Sequence, residues 1–370
     1  LLQGDVGSGK TIVSLLTAIP FIQKHKQVAY MAPTEILANQ IYSNVLNHLD
    51  NKEVNPILLT GSSKNKSEIY EKIEKGIFNF IIGTHAIFQE NLNFSSLAYV
   101  IIDEQHRFGV QQRLYLAEKG INTNILLMSA TPIPRTLALA QYGEIEQVIL
   151  KEKPAFQKPI ITKVSNIDKI KDIEILLKKK ISNVSQVYWI CPLVEASENQ
   201  KYKDVETRFK SLKNIFGSEV EMLHGKIKSD QKERIIQNFQ KGNIKILVAT
   251  TVVEVGIDNK NADYIVIENA EKFGLSQLHQ LRGRVGRGNN QGYCFALYGK
   301  DLPDNTINRL KIFKENLDGF KLSEKDLEIR GTGDILGYRQ SGDSLFKFVN
   351  VYHDQELIID ALQYLSLIHI

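Results

Sequence analysis

The sequence predicts an α/β protein with two tandem parallel-sheet domains and a small helical hairpin and loop after them. Short apolar runs alternate with helix-like segments in the first half of the chain, at "QVAYMAP", "NFIIGTH", "AYVIIDE" and "NILLMSA". The same alternation returns in the second half, at "QVYWICPL", "VEMLHG", "IKILVATT", "ADYIVIE" and "GYCFALY". Strands that are apolar along their whole length, with helices between them, are typical of parallel sheets covered on both faces.

Breaks in this alternation predict the domain limits. The interval "LKEKPAFQKPIITKVSNIDK" contains prolines and lysines but few large apolar residues, so we interpret it as the connection between two lobes. After "GYCFALYG" the strands stop, residues from about 301 to 325 have a helical pattern, and "EIRGTGDILGYRQSG" is a loop interrupted by glycines. The predicted segments are 1–150, 151–300, 301–345, 346–364 and 365–370.

The composition is that of a globular chain. Its 370 residues are 43% hydrophobic, enough for about two domain-sized cores, and the net charge of +4 is compatible with nucleic acid without requiring it. No stretch approaches the roughly 18 apolar residues of a membrane-spanning helix, so we expect no membrane partner. Cys191 and Cys294 lie far apart without a CxxC pattern, which favours buried, reduced thiols in the cytoplasm.

The first eleven residues, "LLQGDVGSGKT", read as a short buried strand followed by a phosphate-binding loop. Gly4, Gly9, Lys10 and Thr11 fit G-x-x-x-x-G-K-[ST], and Gly7 adds backbone freedom. In this pattern loop N–H groups surround the phosphates, the lysine reaches the β- and γ-phosphates and the threonine hydroxyl binds Mg²⁺. A following helix is predicted from apolar residues at i, i+3, i+4 and i+7, namely Ile12, Leu15, Leu16 and Ile19. The alternative is a chance glycine loop before a helix.

An acidic pair follows a later apolar strand, in "VIIDEQHRFGV". In a P-loop ATPase an aspartate here completes the Mg²⁺ shell through water, and an adjacent glutamate activates the attacking water. Asp103 and Glu104 are therefore candidates for these roles. An Asp-Glu pair alone is common in turns, but the order of P-loop, acidic strand end, "SAT" and a glycine–arginine cluster favours an ATPase.

The glycine–arginine cluster is "QLHQLRGRVGRG", in which Gln280, Arg284 and Arg287 fit Q-x-x-G-R-x-G-R. Guanidinium groups placed against a γ-phosphate stabilise the charge of a loose transition state. The alternative is an Arg/Gly patch that binds nucleic acid.

Four histidines receive no metal-binding or general-base role, and the single tryptophan receives no chemical role. His85, His106, His224 and His279 show no metal-ligand spacing on a helix face, and Glu104 already fills the base role. We expect Trp189 in a hydrophobic core.

Taken in order, the motifs resemble those of superfamily-two nucleic-acid motors. The set is "GDVGSGKT", "APTEILANQ", "TGS", "GTHAIFQ", "DEQHRFGVQQR", "SATPIPRT", "VATTVVEVGID" and "QLHQLRGRVGRG". More narrowly, "DEQHRFGV", "ATPIPRT" and "FGLSQLHQLRGRVGRG" are similar to the RecG family of branched-DNA translocases and the related Mfd family of transcription-repair coupling factors, while "VYWICPLVEAS" and "TTVVEVGID" lean to RecG. The resemblance covers essentially residues 1–363 and implies two RecA-like lobes.

The resemblance implies that ATP and Mg²⁺ bind between these lobes, with Thr11 and Asp103 on the metal. The matching residues are Gly4, Gly7, Gly9, Lys10, Thr11, Asp103, Glu104, Gly256, Asp258, Gln280, Arg284 and Arg287. Ser129 and Thr131 of "SAT" would couple the nucleotide state to lobe movement.

The resemblance also implies a set of residues that face DNA. They are Pro33, Thr34, Thr60, Gly61, Ser62, Gly83, Thr84, His85, Thr250 and Thr251. Small hydroxyls and backbone amides at strand ends bind phosphate and sugar without reading bases, as a motor on any sequence requires. Taken singly, each threonine is also typical of a cap or turn.

The segment "LEIRGTGDILGYRQSG" resembles the translocation motif of the RecG and Mfd families, a helical hairpin with a loop. Arg309, Arg330 and Gln340 match its coupling residues. Two arginines and a glutamine can form a directional hydrogen-bond network that rearranges as lobes close. The alternative for Arg330 is a helix-capping role.

The implied function is ATP-dependent translocation on double-stranded DNA, which in the full protein remodels branched DNA such as stalled forks and Holliday junctions. The implied motor is monomeric and cytoplasmic, with single-stranded DNA-binding protein as a candidate partner. Two alternatives remain open: an Mfd-type motor acting on RNA polymerase, and a non-catalytic DNA-binding fragment.

Both ends of the chain lead us to expect a fragment. Members of the family carry a large N-terminal part with a wedge domain ahead of the P-loop, whereas Leu1 stands directly before the first strand. The final "LSLIHI", residues 365–370, breaks the helical pattern of "HDQELIIDALQY". It matches the translation of a transposon-end adaptor, so we expect a non-native tail after Tyr364.

Overall fold

The computed structural model describes residues 1–49, 53–104, 119, 123–130, 145–152, 157–181, 185–192, 203–250, 259–330, 357 and 360. They fall into two compact units. The first holds the described residues of Leu1–Ala130 and Gln147–Pro154. The second holds those of Thr131–Glu146, Ala155–Glu254 and Asp258–Ile370. Each unit is built on one parallel sheet with helices, which confirms the predicted fold class.

The first unit alternates strands and helices from its first residues. Its described strands are β1 (Leu2–Gly4), β2 (Gln27–Met31), β3 (Pro56–Leu59), β4 (Phe80–Gly83), β5 (Leu97–Ile102), β6 (Asn124–Ser129) and β7 (Val148–Leu150). Its described helices are α1 (Lys10–Gln23), α2 (Glu35–His48), α3 (Lys66–Glu74) and a short 3₁₀ helix (His85–Phe88).

The strands of the first sheet are in the order β3-β4-β2-β5-β6-β1-β7, and all described neighbours are parallel. Met31 at the end of β2 lies level with Gly83 on one side and Ile102 on the other. β2 and β4 are buried along their whole length, because helices cover the sheet. The carboxyl ends of the strands therefore form one edge, which we call the first carboxyl edge.

Helix α1 forms where predicted, but of the four apolar residues that predicted it only Leu15 is buried. Ile12 and Leu16 are 43% and 54% exposed. The side that packs in the core consists of Ser14, Leu15, Ala18 and Ile22. Small side chains let this helix approach the sheet closely, and a count of large apolar residues does not register them.

The second unit has the same alternation. Its described strands are β8 (Ile161–Asn166), β9 (Gln186–Ile190), β10 (Val220–Leu223), β11 (Ile246–Ala249), β12 (Ala262–Ile267) and β13 (Tyr293–Tyr298). Its described helices are α4 (Ile170–Lys180), α5 (Lys203–Phe216), α6 (Ser229–Gln240), α7 (Leu275–Arg282), α8 (Asp304–Glu315) and α9 (Gly319–Arg330). The sheet order is β10-β11-β9-β12-β13-β8, again parallel.

The interval that we interpreted as an inter-lobe connection contains a strand of the second sheet. β8 pairs with β13 from Ile161, opposite Tyr293, to Asn166, opposite Tyr298. It is an edge strand whose residues are mostly exposed or half-buried. Such a strand needs only alternate apolar side chains, so the composition of "IITKVSN" resembles that of a loop.

The helical pattern predicted after β13 is confirmed. Helices α8 and α9 follow it and contact each other, and both also contact α7. Leu310 and Phe313 of α8 and Leu322 of α9 are buried. The predicted loop after these helices lies outside the described residues.

A partly buried ionic cluster of Arg208, Glu174 and Glu268 links α4, α5 and the end of β12 in the second unit. Arg208 donates from Nε to Glu268 Oε1 at 2.5 Å and from one terminal nitrogen to Glu174 Oε1 at 3.4 Å. Trp189 Nε1 donates to the same Glu268 oxygen, and its ring lies 5.5 Å from the guanidinium carbon. Burial raises the pKa of Glu174, and Arg208 acts against that shift. Trp189 is fully buried, so its predicted core position is confirmed.

Both cysteines are buried and neither forms a disulfide, as the sequence predicts. Burial raises the pKa of the Cys294 thiol to about 12 from an ordinary value of 9.0, although Arg282 acts in the opposite direction. In the described part of the chain, no helix has the length and apolarity to cross a bilayer, and no group of three or more His, Cys, Asp or Glu residues could hold a metal.

We predict that alkaline pH destabilises the fold through Cys294. Because its folded pKa is raised, the stabilising effect is complete below pH 9.0 and is lost as the pH rises towards about 12. From pH 8 to pH 10 the free energy of unfolding should fall by about 1.4 kcal/mol more in the wild type than in Cys294→Ala. Urea unfolding at each pH measures this difference. Parallel pH profiles of the two proteins would contradict the prediction.

Candidate functional site

The first carboxyl edge collects six motifs that are far apart in the sequence. The loop with Lys10 follows β1, Thr34 follows β2, and Asp103 follows β5. Thr60 follows β3, and Thr84 follows β4. Ser129 ends β6 next to Gln3 of β1. All first-unit residues that we predicted to bind nucleotide or DNA, within the described residues, therefore lie along this edge.

The glycine loop has the backbone that a phosphate-binding loop needs. Gly7 and Gly9 have φ values of 82° and 89°, in the left-handed region that favours glycine. Gly9 is the N-cap of α1, so the positive end of this helix opens towards the loop. A Cβ on Gly4 would lie 2.4 Å from Ser8 Oγ and 3.1 Å from Leu150 Cβ, so a side chain there would require both neighbours to move.

Lys10 is held inside the loop by the loop's own carbonyl groups. Its Nζ donates to the carbonyl oxygens of Gly4 at 2.8 Å and Asp5 at 2.9 Å. The amide of Ser8 donates to the same Asp5 oxygen at 3.1 Å, which closes the turn. The ammonium group thus lies at the concave side of the loop, where it can bind phosphate oxygens.

The acidic pair is connected to the strands on both sides of β5. The Asp103 amide donates to the carbonyl of Met31 in β2 at 2.9 Å. Glu104 adopts a φ of 49°, unusual for glutamate, and its amide donates to Asp103 Oδ1 at 2.9 Å. The Ala130 amide, just after β6, donates to Glu104 Oε2 at 3.3 Å. This bond joins the candidate base to the "SAT" motif, and the sequence motif alone does not predict it.

The threonines at the ends of β2 and β3 have local structural partners. Thr34 caps α2 by accepting from the Leu37 amide at 3.3 Å, as the alternative interpretation allowed. The buried Thr60 hydroxyl lies 2.9 Å from Ser62 Oγ. Glu35, in the first turn of α2, accepts from the Ser62 amide at 3.1 Å. Glu35 therefore holds the β3 turn beside the start of α2, a positioning role that we did not predict.

The end of β4 allows no side chain. A Cβ on Gly83 would lie 2.0 Å from the Leu59 carbonyl oxygen. The Thr84 amide donates to that same oxygen at 3.3 Å, and Thr84 is buried. His85 is exposed at the start of the 3₁₀ helix. Pro33 is half-buried, and Gly61 and Ser62 are exposed, so parts of the predicted DNA-facing set are accessible.

The second unit carries its candidate residues on and after α7. Gln280 and Arg284 are buried, whereas Arg287 is half-buried and donates from Nε to the Gly283 carbonyl at 3.0 Å. Gly286 has a φ of 68°, and its amide donates to the Ala262 carbonyl at 3.1 Å. Thr250 is buried just after β11. The assignment of Gln280, Arg284 and Arg287 to ATP stays a prediction.

Two arginines attach α8 to the α7 region. Arg309 donates to the Glu271 carbonyl at 2.5 Å, in a 3₁₀ turn (Ala270–Lys272) that precedes α7. Arg282, to which the sequence motif assigns no role, donates to two carbonyls at the end of α8. The sequence of this arginine-rich motif does not indicate which of its arginines are buried.

Five predicted site residues cannot be placed. Thr131, Gly256, Asp258, Thr251 and Gln340 lie outside the described residues. Arg330 is the last residue of α9, and its side chain is outside the described part of the structure. Of the histidines, His224 and His279 are buried, and burial lowers the pKa of His224.

Two family models match the chain, one over its first part and one over its second part. Residues 1–140 match the DEAD/DEAH box helicase family, and residues 167–289 match the helicase conserved C-terminal domain. The first match contains Lys10, Asp103 and Glu104, and the second contains Gln280, Arg284 and Arg287.

Curated bacterial relatives extend the similarity over the whole chain. A protein of Borreliella burgdorferi named ATP-dependent DNA helicase RecG is 48% identical over 373 residues, covering 99% of this chain and 54% of the relative. A protein of the same name from Streptococcus pneumoniae is 44% identical over 372 residues, covering 100% of this chain and 55% of the relative. The chain therefore spans about half the length of the curated relatives it matches.

Solved structures agree with this similarity. A structure of RecG bound to a three-way DNA junction matches with a TM-score of 0.77 and 38% identity, over 96% of this chain and 47% of the other. Saccharomyces cerevisiae Dbp5 bound to RNA and ADP BeF3 matches with a TM-score of 0.65 at 18% identity, which supports the fold alone. On the family models, the relatives and the RecG structure, this chain belongs to the RecG family of superfamily-two helicases.

Proposed function

We propose that this chain is the motor part of an ATP-dependent translocase that acts on double-stranded DNA. The observation that carries the proposal is the first carboxyl edge. There the glycine loop, the Asp103–Glu104 pair and the small polar strand ends stand side by side on one sheet. The names of the relatives, which include ATP dependence and DNA helicase activity, agree with it.

The β1, β5 and β6 ends form the nucleotide half of the edge. We assign the loop amides and Lys10 to the β- and γ-phosphates of ATP. Glu104 accepts a proton from the attacking water while the oxygen of that water bonds to the γ-phosphorus. The bond from the γ-phosphorus to the β–γ bridging oxygen breaks, which releases ADP. The bond from the Ala130 amide fixes one Glu104 oxygen and so limits the rotation of this base.

The residues present fit Mg²⁺ as the accompanying metal. Thr11 supplies a hydroxyl and Asp103 a carboxylate, the hard oxygen ligands that Mg²⁺ takes beside substrate phosphates. The metal, when bound, neutralises charge on the phosphates. Thr11 lies in the first turn of α1. Asp103 lies in the turn directly after β5, where the hydrogen bond from its amide to the Met31 carbonyl fixes its backbone.

The β2, β3 and β4 ends form the DNA half of the edge. We assign Thr34, Ser62 and His85, with the neighbouring amides, to the sugar–phosphate backbone. Such groups bind the sugar–phosphate backbone of DNA of any base sequence. The helix cap at Thr34 and the turn at Ser62 hold these side chains in place. Glu35 holds Ser62 in place by accepting a hydrogen bond of 3.1 Å from the Ser62 amide.

For the whole protein we propose remodelling of branched DNA in recombination and repair. The support is the RecG structure that holds a three-way junction and 38% sequence identity to it. The proposal includes a monomeric motor, contact with single-stranded DNA-binding protein and a cytoplasmic location. The two reduced, buried cysteines agree with the cytoplasm.

We predict that duplex or forked DNA stimulates ATP hydrolysis by this chain more than single strands do. The assay compares hydrolysis without DNA, with single-stranded DNA, with linear duplex and with a model fork. Glu104→Gln is the matched blank, because it keeps the size of the side chain but removes the base, and should lower the rate by about 10² to 10⁴. Equal rates with and without every DNA, or an active Glu104→Gln, would refute the proposed function.

We also predict that Gly9 is required for nucleotide binding, beyond its effect on stability. Gly9→Ala places a side chain at a φ of 89°. The new Cβ would meet no atom closer than 3.6 Å, so the substitution causes backbone strain without a steric clash. Gly242→Ala, at a φ of 84° with nothing within 4 Å, is the matched control outside the loop.

Both variants should lose about 1 to 2 kcal/mol of stability, from the cost of left-handed alanine. Only Gly9→Ala should weaken binding of a fluorescent ATP analogue, by about tenfold or more, because the loop relaxes away from the phosphate-binding conformation. Similar analogue affinities for the two variants would contradict the assignment of the loop.

A further inference from the structure

Arg282 is a buried cation without a role in the proposed ATP chemistry. It is 2% exposed and ends α7, two residues before Arg284. One terminal nitrogen donates to the Phe313 carbonyl at 2.8 Å, and the other donates to the Asn316 carbonyl at 2.8 Å. The guanidinium carbon also lies 4.5 Å from the centre of the Phe313 ring. All these partners belong to the carboxyl end of α8.

This contact satisfies groups that the end of a helix leaves without partners. The last carbonyls of an α-helix have no N–H within the helix, and the negative end of the helix dipole favours a cation. The buried His279 completes the arrangement, because arginine can only donate and His279 Nδ1 accepts at 2.8 Å. Replacing Arg282 would remove this donor from the carbonyl of the buried Phe313 and from the carbonyl of the half-buried Asn316.

A second anchor fixes α8 at the other end of α7. Arg309 on α8 donates to the Glu271 carbonyl, before α7 begins. Arg282 holds the end of α8 beside the end of α7. Its partners Phe313 and Asn316 lie about 6 to 10 Å beyond Arg309 along α8, at 1.5 Å per residue. Helix α9 contacts both helices. Two anchors at opposite ends of α7 prevent α8 from pivoting about either one.

We propose that Arg282 is a positioning residue that makes α7 and the α8–α9 hairpin one rigid body. Gln280 lies on α7, and Arg284 and Arg287 lie just after the end of α7. A displacement of this segment would therefore move the α8–α9 hairpin by the same amount. The inference rests on the proposed function, since it assigns to the hairpin the step that turns ATP hydrolysis into strand displacement.

Hydrolysis itself should survive the loss of Arg282. The backbone after α7 is fixed by its own bonds, from the Gly283 amide to His279 and from the Arg284 amide to Leu281, at 3.0 Å each. These bonds do not involve the Arg282 side chain. Coupling and hydrolysis are therefore separable at this residue.

The test uses Arg282→Met, which keeps an unbranched, largely apolar side chain but removes all donors, and Arg282→Lys, which keeps the charge but cannot bridge two carbonyls as a planar fork does. Lys314→Met is the matched control, an exposed cation on the same turn of α8. Hydrogen exchange measures the Asn316 amide, which bonds to Ile312. ATP hydrolysis and displacement of a strand from a forked duplex are measured on the same samples.

We expect exchange at the end of α8 to rise by about tenfold or more in Arg282→Met, because two bonds from a charged donor are lost. Strand displacement per ATP hydrolysed should fall by about tenfold, with hydrolysis within about threefold of wild type. Arg282→Lys should fall between these values, and Lys314→Met should match wild type. If Arg282→Met does not fold, Arg282→Lys carries the test.

The outcomes separate the two proposals. Unchanged exchange in the Arg282 variants, or equal loss of hydrolysis and displacement, would overturn the rigid link. If exchange at the Asn316 amide rises in the Arg282 variants but the wild type shows no DNA-dependent ATP hydrolysis, the rigid link is supported and the proposed function is refuted.

Discussion

The structure depends on the rule that parallel strands cannot be joined by tight turns. Each strand must return through a crossover, so all carboxyl ends, and the loops after them, meet at one edge of the sheet. In the first unit this rule brings Lys10, Asp103 and Ser129 together although they are spread over about a third of the chain. The arrangement of the site is thus a consequence of strand direction, and Gly7 and Gly9 supply the left-handed backbone of the phosphate-binding loop.

The same edge connects nucleotide groups with DNA groups through backbone hydrogen bonds. Asp103, assigned to the metal, donates its amide to Met31 of β2, the strand that leads to Pro33 and Thr34. Glu104 is bonded to Ala130 after β6. These connections are short and lie within a close-packed sheet, which deforms little. A change at the phosphates therefore has a direct physical route to the strand ends that we assign to DNA.

The sequence predicts what local patterns encode and misses what tertiary packing decides. The glycine loop before α1 and the acidic pair after an apolar strand follow local patterns, so their places in the fold are predicted correctly. The apolar face of α1 is not, because Ser14 and Ala18 pack by being small. Edge strand β8 resembles a linker, since only part of it is buried. The roles of Glu35 and Arg282 depend on partners 27 and at least 31 residues away, which no local pattern specifies.

The most direct test of the account measures duplex DNA affinity with and without a non-hydrolysable ATP analogue, by fluorescence anisotropy at constant salt. If the nucleotide and DNA groups are energetically coupled, saturation with the analogue should change the affinity by about fivefold or more, and DNA should change the affinity for the analogue by the same factor. Equal DNA affinity in the presence and absence of bound analogue would contradict the central claim that ATP drives this chain along DNA.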